Sequence, residues 1–285
     1  MNALEELNKI GIKVDKYEEI RQKDGISLYR IYADQDSYVL KYFADPEGTH
    51  EIEYYELLNK AGIPTLKVFG RTERAILMED MCSSPRWRLG TAEDMNDPTI
   101  ASNLAQWYRR LHDVSRQILN ARTDWYSEYG LLTPENLRLA MVRTDTAEWQ
   151  VWPYLMKHLP ELHRIIATLE PAINYNDFYY TNLAVSRDGR EAMMFDYNCM
   201  GKGYRASDLR NVCWSLSDRA AKAFLESYGD VSEYEYRVDD VVSVLTTLVM
   251  AAKRPEIPNW AEGALESLES GKLADNLHDL LSDWK

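Results

Sequence analysis

The pattern of apolar and polar positions changes character once along the chain, near residue 80. Before that point, short β-branched and aromatic runs alternate. SLYRIYA (27–33) and SYVLKYF (37–43) flank Asp34-Gln35-Asp36, a turn signal, and predict a hairpin. THEIEYYELLNK (49–60) has helical spacing: Thr49 is a candidate N-cap, acids crowd the first turn and Gly62 closes it. Residues 63–69 and 75–81 read as two further strands. Cys82-Ser83-Ser84-Pro85 is a linker signal, and beyond it the periodicity becomes helical. Asp97-Pro98 opens a helix to about His112, with Ile100, Leu104, Trp107 and Leu111 on one face. Pro134 and Pro153 punctuate further helical segments. A β-like island occupies residues 173–197, and helices are predicted over 208–217, 219–228 and 238–252, with two more after Trp260.

This pattern predicts an α+β fold. A small β-rich lobe with one inserted helix covers residues 1–80, a linker 81–97, and a larger α-rich lobe carrying one polar hairpin 98–285. No internal repeat is present.

Composition narrows the function classes. Hydrophobic residues make up 45% and charged residues 28% of the 285, an ordinary globular balance that argues against disorder. Lys and Arg total 33 against 46 Asp and Glu, a net charge of −13. Such a chain is repelled by phosphate backbones and anionic lipid, so neither nucleic acid nor a membrane surface is expected as a partner. The acidity suits a cationic substrate, although it also serves solubility. Cys82, Cys199 and Cys213 are too few and too scattered for a disulfide framework or a zinc site, which fits a reducing compartment. The N-terminal segment lacks the apolar core of a signal peptide, and the longest apolar stretch, 241–252, is too short to span a bilayer. A cytoplasmic location is expected.

The candidate chemistry lies in the island, INYNDFYYTNLAVSRDGREAMMFDYN (173–198). Two strand-like runs flank Arg187-Asp188-Gly189, a hairpin turn signal. A hairpin there brings Asn182 beside Asp196, with Asp177 one loop away. Two carboxylates and an amide oxygen are hard ligands suited to Mg²⁺, which takes its remaining oxygens from water and phosphates.

Asp177, four intervening residues, Asn182, and then Asp196 resemble the catalytic loop and metal-binding aspartate of kinases. More narrowly, the chain resembles the aminoglycoside phosphotransferase and choline kinase family, the small-molecule branch of the two-lobed protein-kinase-like fold. Gly25-Ile26-Ser27 is similar to that family's short nucleotide-binding loop, and Tyr38-Val39-Leu40-Lys41 to the strand whose lysine holds the α- and β-phosphates. His50-Glu51 resembles the helix whose glutamate pairs with that lysine, although Glu53 and Glu56 on the same helix compete for the role. Ile76 to Met81 is similar to the strand leading into the adenine pocket, where backbone around Glu79 and Met81 reads the base. The helix ending Leu111-His112 and the pair Ser207-Asp208 also match the family's order.

The resemblance implies an ATP- and Mg²⁺-dependent transfer of the γ-phosphate to a hydroxyl of a small molecule. ATP enters between the lobes, Asp177 takes the proton of the acceptor hydroxyl, and Asn182 and Asp196 hold the metal. The acceptor is expected to be an amine-bearing alcohol, aminoglycoside-like or choline- or ethanolamine-like. Acids outnumber bases eleven to five over 231–285, and aromatics crowd 87–154 and 175–180, where rings could cage a quaternary ammonium. The sequence departs from the family in two places. Tyr175 stands where relatives carry a histidine, and bulky Phe178-Tyr179-Tyr180 fill the loop between Asp177 and Asn182. These departures keep open an alternative, a catalytically dead kinase-like protein that binds nucleotide or amine. A protein kinase is disfavoured, because 197–207 is too short for an activation loop.

Overall fold

The computed structural model describes residues 3–284. In chain order the elements are α1 (Ala3–Ile10), β1 (Lys16–Lys23), β2 (Ile26–Ala33), β3 (Asp36–Phe43), α2 (His50–Lys60), β4 (Val68–Arg71), β5 (Ala75–Glu79) and β6 (Trp87–Leu89). They continue with α3 (Pro98–Asp113), α4 (Ser115–Leu119), α5 (Pro134–Arg143), α6 (Val151–Thr168), β7 (Ala172–Asn174), β8 (Leu183–Ser186), β9 (Ala192–Met194) and β10 (Gly201–Gly203). The chain ends with α7 (Arg205–Ser215), α8 (Asp218–Tyr228), α9 (Glu233–Ala252), α10 (Glu262–Glu269) and α11 (Lys272–Asp283).

Contacts group the chain into two compact units. One holds residues 3–121 with 175–200 and 211–229; the other holds 122–174, 201–210 and 230–284. The grouping follows packing rather than the change in sequence pattern near residue 80, because the hairpin β8–β9 and helices α3 and α8 gather with the N-terminal sheet.

In the first unit, β1 to β5 form an antiparallel sheet in the order β1-β2-β3-β5-β4. Ile31 of β2, Leu40 of β3 and Leu77 of β5 are fully buried on it, as the apolar alternation of β2 and β3 requires. Strand β1 carries no such alternation: KYEEIRQK is almost entirely exposed, so no hydrophobic pattern announced it. It is held by its ladder to β2, from Lys16 opposite Tyr32 to Lys23 opposite Ile26.

Two local expectations need correction. Thr49 does not cap α2. Its backbone is already helical, φ −71° and ψ −13°, and its Oγ1 donates to the Pro46 carbonyl at 2.7 Å because a 3₁₀ turn leads into the helix. The strand expected over 63–69 begins only at Val68. Ile63 and Leu66 are buried in irregular chain, and the Pro64 carbonyl accepts from the Trp107 indole at 2.9 Å, so the apolar run marks burial and not a pleat. Gly62, φ +78°, does terminate α2 in the left-handed conformation. At α3, the Asp97 carboxylate accepts from the Thr99 N–H at 2.7 Å, with Pro98 in the first turn where its missing N–H costs nothing.

In the second unit, α5, α6, α9, α10 and α11 surround a core that includes Leu155, Leu162, Val241, Leu245, Leu248 and Leu277. The apolar stretch 241–252 is the C-terminal part of α9, and most of its residues are buried. Among the described residues no helix is long and apolar enough to cross a membrane.

Candidate active site

Strand β3 presents Lys41 opposite Leu28 of β2 and Ile76 of β5. The residue is 3% exposed. Its Nζ lies 2.5 Å from Glu51 Oε2 and 2.7 Å from Asp196 Oδ1. A buried ammonium is tolerated only with such partners. Burial works against its charge, but the two carboxylates more than offset that and hold its pKa above the ordinary lysine value. Helix phase decides which glutamate serves. Glu51 is buried, Glu53 faces solvent, and Glu56 pairs with Arg71. Burial pushes the Glu51 carboxyl up to about 7, with Lys41 opposing the rise and Asp196 adding to it. Glu51 also accepts from the Tyr197 N–H at 3.3 Å, so one carboxylate ties α2 to both Lys41 and the chain just past Asp196.

The hairpin forms as the turn signal predicts, with Leu183 opposite Met194. The Phe195 N–H donates to the Asn182 carbonyl at 3.0 Å, which sets Asn182 and Asp196 at the hairpin's open end. Asn182 Nδ2 donates to Asp177 Oδ2 at 2.9 Å, holding the carboxylate while leaving the amide oxygen for another partner. Burial, and then the charge of Asp196, raise the Asp177 pKa above the usual aspartate range, with the Asn182 hydrogen bond opposing. Asn176 and Asp196 both adopt left-handed backbone, φ +65°. Asn and Asp tolerate this conformation better than other side-chain-bearing residues, and such residues gather at functional sites.

Tyr175 is fully buried. Its hydroxyl donates to the Phe195 carbonyl, and its ring meets Trp107, Tyr108 and Tyr197 edge-on. The phenol therefore spans from the residue before Asn176-Asp177 to the residue before Asp196. Asn176 Nδ2 donates to the Cys199 carbonyl at 3.0 Å, and Asn211 Nδ2 to the Asn176 carbonyl at 3.1 Å. The loop is braced without a histidine.

A cleft of about 230 Å³ runs between the Lys41 cluster and the end of β5. Leu28, Val39 and Met78 give it an apolar wall, and Lys41, Asn182 and Asp196 a polar end. Glu79 and Met81 line it as well. The Glu79 carboxylate is turned to Ser84, whose Oγ donates to it at 2.5 Å, and the Glu79 N–H donates to the Lys67 carbonyl at 2.9 Å. Ser27 is placed differently. It is buried on β2 and is not in the cleft wall, because its neighbour Leu28 takes the cleft-facing side of the pleat. Sequence reasoning missed Arg30 and Asp80. Arg30 Nε donates to Asp80 Oδ2 at 2.7 Å, and Ser37 Oγ to the same oxygen at 2.8 Å, fixing β2 and β3 to the turn after β5. An arginine in an otherwise apolar and aromatic strand was the available signal.

Several of the crowded aromatics are core, Trp87, Trp107, Trp152 and Tyr175 among them, whereas Tyr126 and Trp149 are exposed. Tyr179 in the Asp177–Asn182 loop is 52% exposed, its ring 4.5 Å from that of Tyr180. Among the described residues, no three His, Cys, Asp or Glu side chains gather into a closed metal centre. Two aspartates and an amide are the donor set of a hard cation that completes its shell with phosphate oxygens and water.

The fold matches that of known small-molecule kinases. The choline kinase LicA from Streptococcus pneumoniae superposes with a TM-score of 0.59 at 15% identity, covering 94% of this chain and 97% of that one. A choline/ethanolamine kinase family protein from Mesorhizobium loti gives 0.63 at 11% identity, covering 93% and 92%. A spectinomycin phosphotransferase solved with ADP and spectinomycin gives 0.59 at 13% identity, covering 93% and 92%. No curated protein sequence matches the chain. The model of the phosphotransferase enzyme family matches residues 23–240, most of the chain and every site residue named above. The chain thus has the kinase-like α+β fold of these structures. The chain belongs to the phosphotransferase enzyme family.

Proposed function

We propose that the protein uses ATP and Mg²⁺ to phosphorylate a hydroxyl of a small cationic molecule, an amine-bearing alcohol of the aminoglycoside or choline and ethanolamine kind. The observation that carries this reading is the convergence of Lys41, Glu51, Asn182 and Asp196 on one cleft, with Asp177 joined to it through Asn182. Phosphoryl transfer has a loose transition state, so catalysis rests on positioning and charge stabilisation. Lys41 binds the α- and β-phosphates, and Glu51 orients it. The backbone at Glu79 and Met81 reads the adenine edge. Asn182 and Asp196 hold Mg²⁺, which supplies positive charge that offsets that of the phosphate oxygens. Asp177 accepts the hydrogen bond of the acceptor hydroxyl and takes its proton as the new bond to phosphorus forms. Burial and the charge of Asp196 raise its pKa, which strengthens it as a base. The exposed Tyr179 ring, tilted near that of half-buried Tyr180 in the loop between Asp177 and Asn182, suits a cationic acceptor, since aromatic faces attract ammonium groups.

Acceptor-dependent ADP release tests this. The panel holds aminoglycosides, choline, ethanolamine, simple sugars and hydroxy amino acids. One acceptor class should give release, and Asp177→Asn should lower kcat by about two to four orders of magnitude while retaining ATP binding. Full turnover in that variant removes Asp177 as the base. Silence across the panel with ATP bound favours the non-catalytic alternative.

A further inference from the structure

The pairing of β1 with β2 contains a break. The register shifts between Glu19 and Arg21, which makes Ile20 a bulged residue. In an unbroken strand, successive side chains point to opposite faces. Here Ile20 and Arg21 both line the cleft. A bulge re-aims side chains in this way, and bulges concentrate beside active sites. Its effect is to add a guanidinium to the cleft wall.

Arg21 differs from the other cations there. Lys41 is held by Glu51 and Asp196, and Arg30 by Asp80 and Glu18. Arg21 is exposed, and among the described residues no carboxylate pairs with it. In a chain of net charge −13, an arginine left without a counterion on a cleft wall is available for an anion from outside.

Strand register says which part of a bound molecule it would meet. Arg21 stands opposite Leu28, and Leu28 opposite Lys41. Arg30, Val39 and Met78 form a different row, toward the end of β5 that leads to Glu79 and Met81. Arg21 thus shares the row of Lys41, at two strand spacings, ~10 Å between backbones. Two long side chains reaching into one cleft close that gap.

We propose that Arg21 is a second phosphate-binding cation, recognising the polyphosphate of the nucleotide opposite Lys41. The inference rests on the nucleotide-dependent kinase reading above. A guanidinium offers paired donors that match phosphate oxygens, and its contribution should grow with the number of phosphates.

Equilibrium binding tests it without turnover. Adenosine, AMP, ADP and a non-hydrolysable ATP analogue, each with Mg²⁺, are titrated into wild type, Arg21→Gln and Arg21→Lys at fixed ionic strength. Arg21→Gln should weaken the triphosphate by about tenfold, the value of one lost hydrogen bond to a charged group, and ADP by less. Adenosine should bind unchanged, and Arg21→Lys should recover part of the loss. Arg21 is exposed and unpaired, so the variants should unfold at the wild-type temperature. Equal weakening of every ligand including adenosine, or no weakening at all, overturns the proposal. Wild type that binds none of these ligands overturns the nucleotide reading itself, and Arg21 with it. Wild type that binds them while Arg21→Gln matches it overturns the Arg21 assignment alone.

Discussion

The Tyr175 hydroxyl donates to the Phe195 carbonyl from inside a shell of Trp107, Tyr108 and Tyr197. Its removal separates bracing from packing, because Tyr175→Phe keeps the ring. The lost bond should lower stability by about 1 kcal/mol, a few degrees in the unfolding midpoint. If the hydroxyl positions Asp196 against Asp177, kcat should fall by about tenfold with the acceptor KM little changed. Tyr175→His, which restores a donor, should regain part of the rate. Steady-state kinetics beside thermal unfolding separate the two effects. At this scale the sequence was partly legible. The order of Lys41, Asp177, Asn182 and Asp196 along the chain pointed to one site. Glu51 as the partner of Lys41 came from the family resemblance alone, because Glu51, Glu53 and Glu56 are chemically alike and only helix phase against the buried face distinguishes them. The bracing by Tyr175 was hidden for the same reason: burial and the direction of a hydroxyl come from tertiary packing.

Among the elements, helices with a clean apolar face and strands with alternation were readable, such as α3, β2 and β3. Strand β1 was not, since KYEEIRQK owes its form to pairing rather than burial. Its bulge at Ile20 was further out of reach, because a register shift is a property of two strands together. The segment before the 3₁₀ turn at 129–131 offers a test of electrostatics within an element cluster. Burial pushes the Glu128 carboxyl up to about 7, with Arg210 opposing and Asp208 and Asp239 adding to the rise. Arg210 is already committed to Asp239, Nε to Oδ2 at 2.7 Å, and Tyr204 donates to the same carboxylate at 3.0 Å. The folded pKa of Glu128 thus lies above its ordinary value of 4.5. Folding favours the protonated form, so this stabilisation is complete below about pH 4.5 and is lost as pH rises through about 7. Glu128→Gln mimics the protonated state. It should match wild type in thermal unfolding at acid pH and exceed it above neutrality, by roughly 2 kcal/mol. A constant difference across pH would place the effect elsewhere.

Across the whole molecule, net charge is the property that bears on the acceptor. At −13 the chain attracts cations from a distance, and that attraction is screened by salt. Raising ionic strength from about 0.05 M to about 0.3 M, which shortens the screening length by more than half, should raise KM severalfold for a cationic acceptor. A neutral sugar should show little change, and a KM for the amine that ignores salt would argue against a charged acceptor. The α+β class was legible at this scale from the change in periodicity near residue 80. The packing partition was not, because the hairpin at 183–194 returns to the N-terminal residues across a long stretch of chain. Finally, the left-handed backbone at Asp196 suits glycine at least as well as aspartate. An Asp-to-Gly exchange there removes a carboxylate and relieves strain in the same stroke. On the function proposed above, the step from a working enzyme to a folded but inert protein is thus a single exchange in this hairpin.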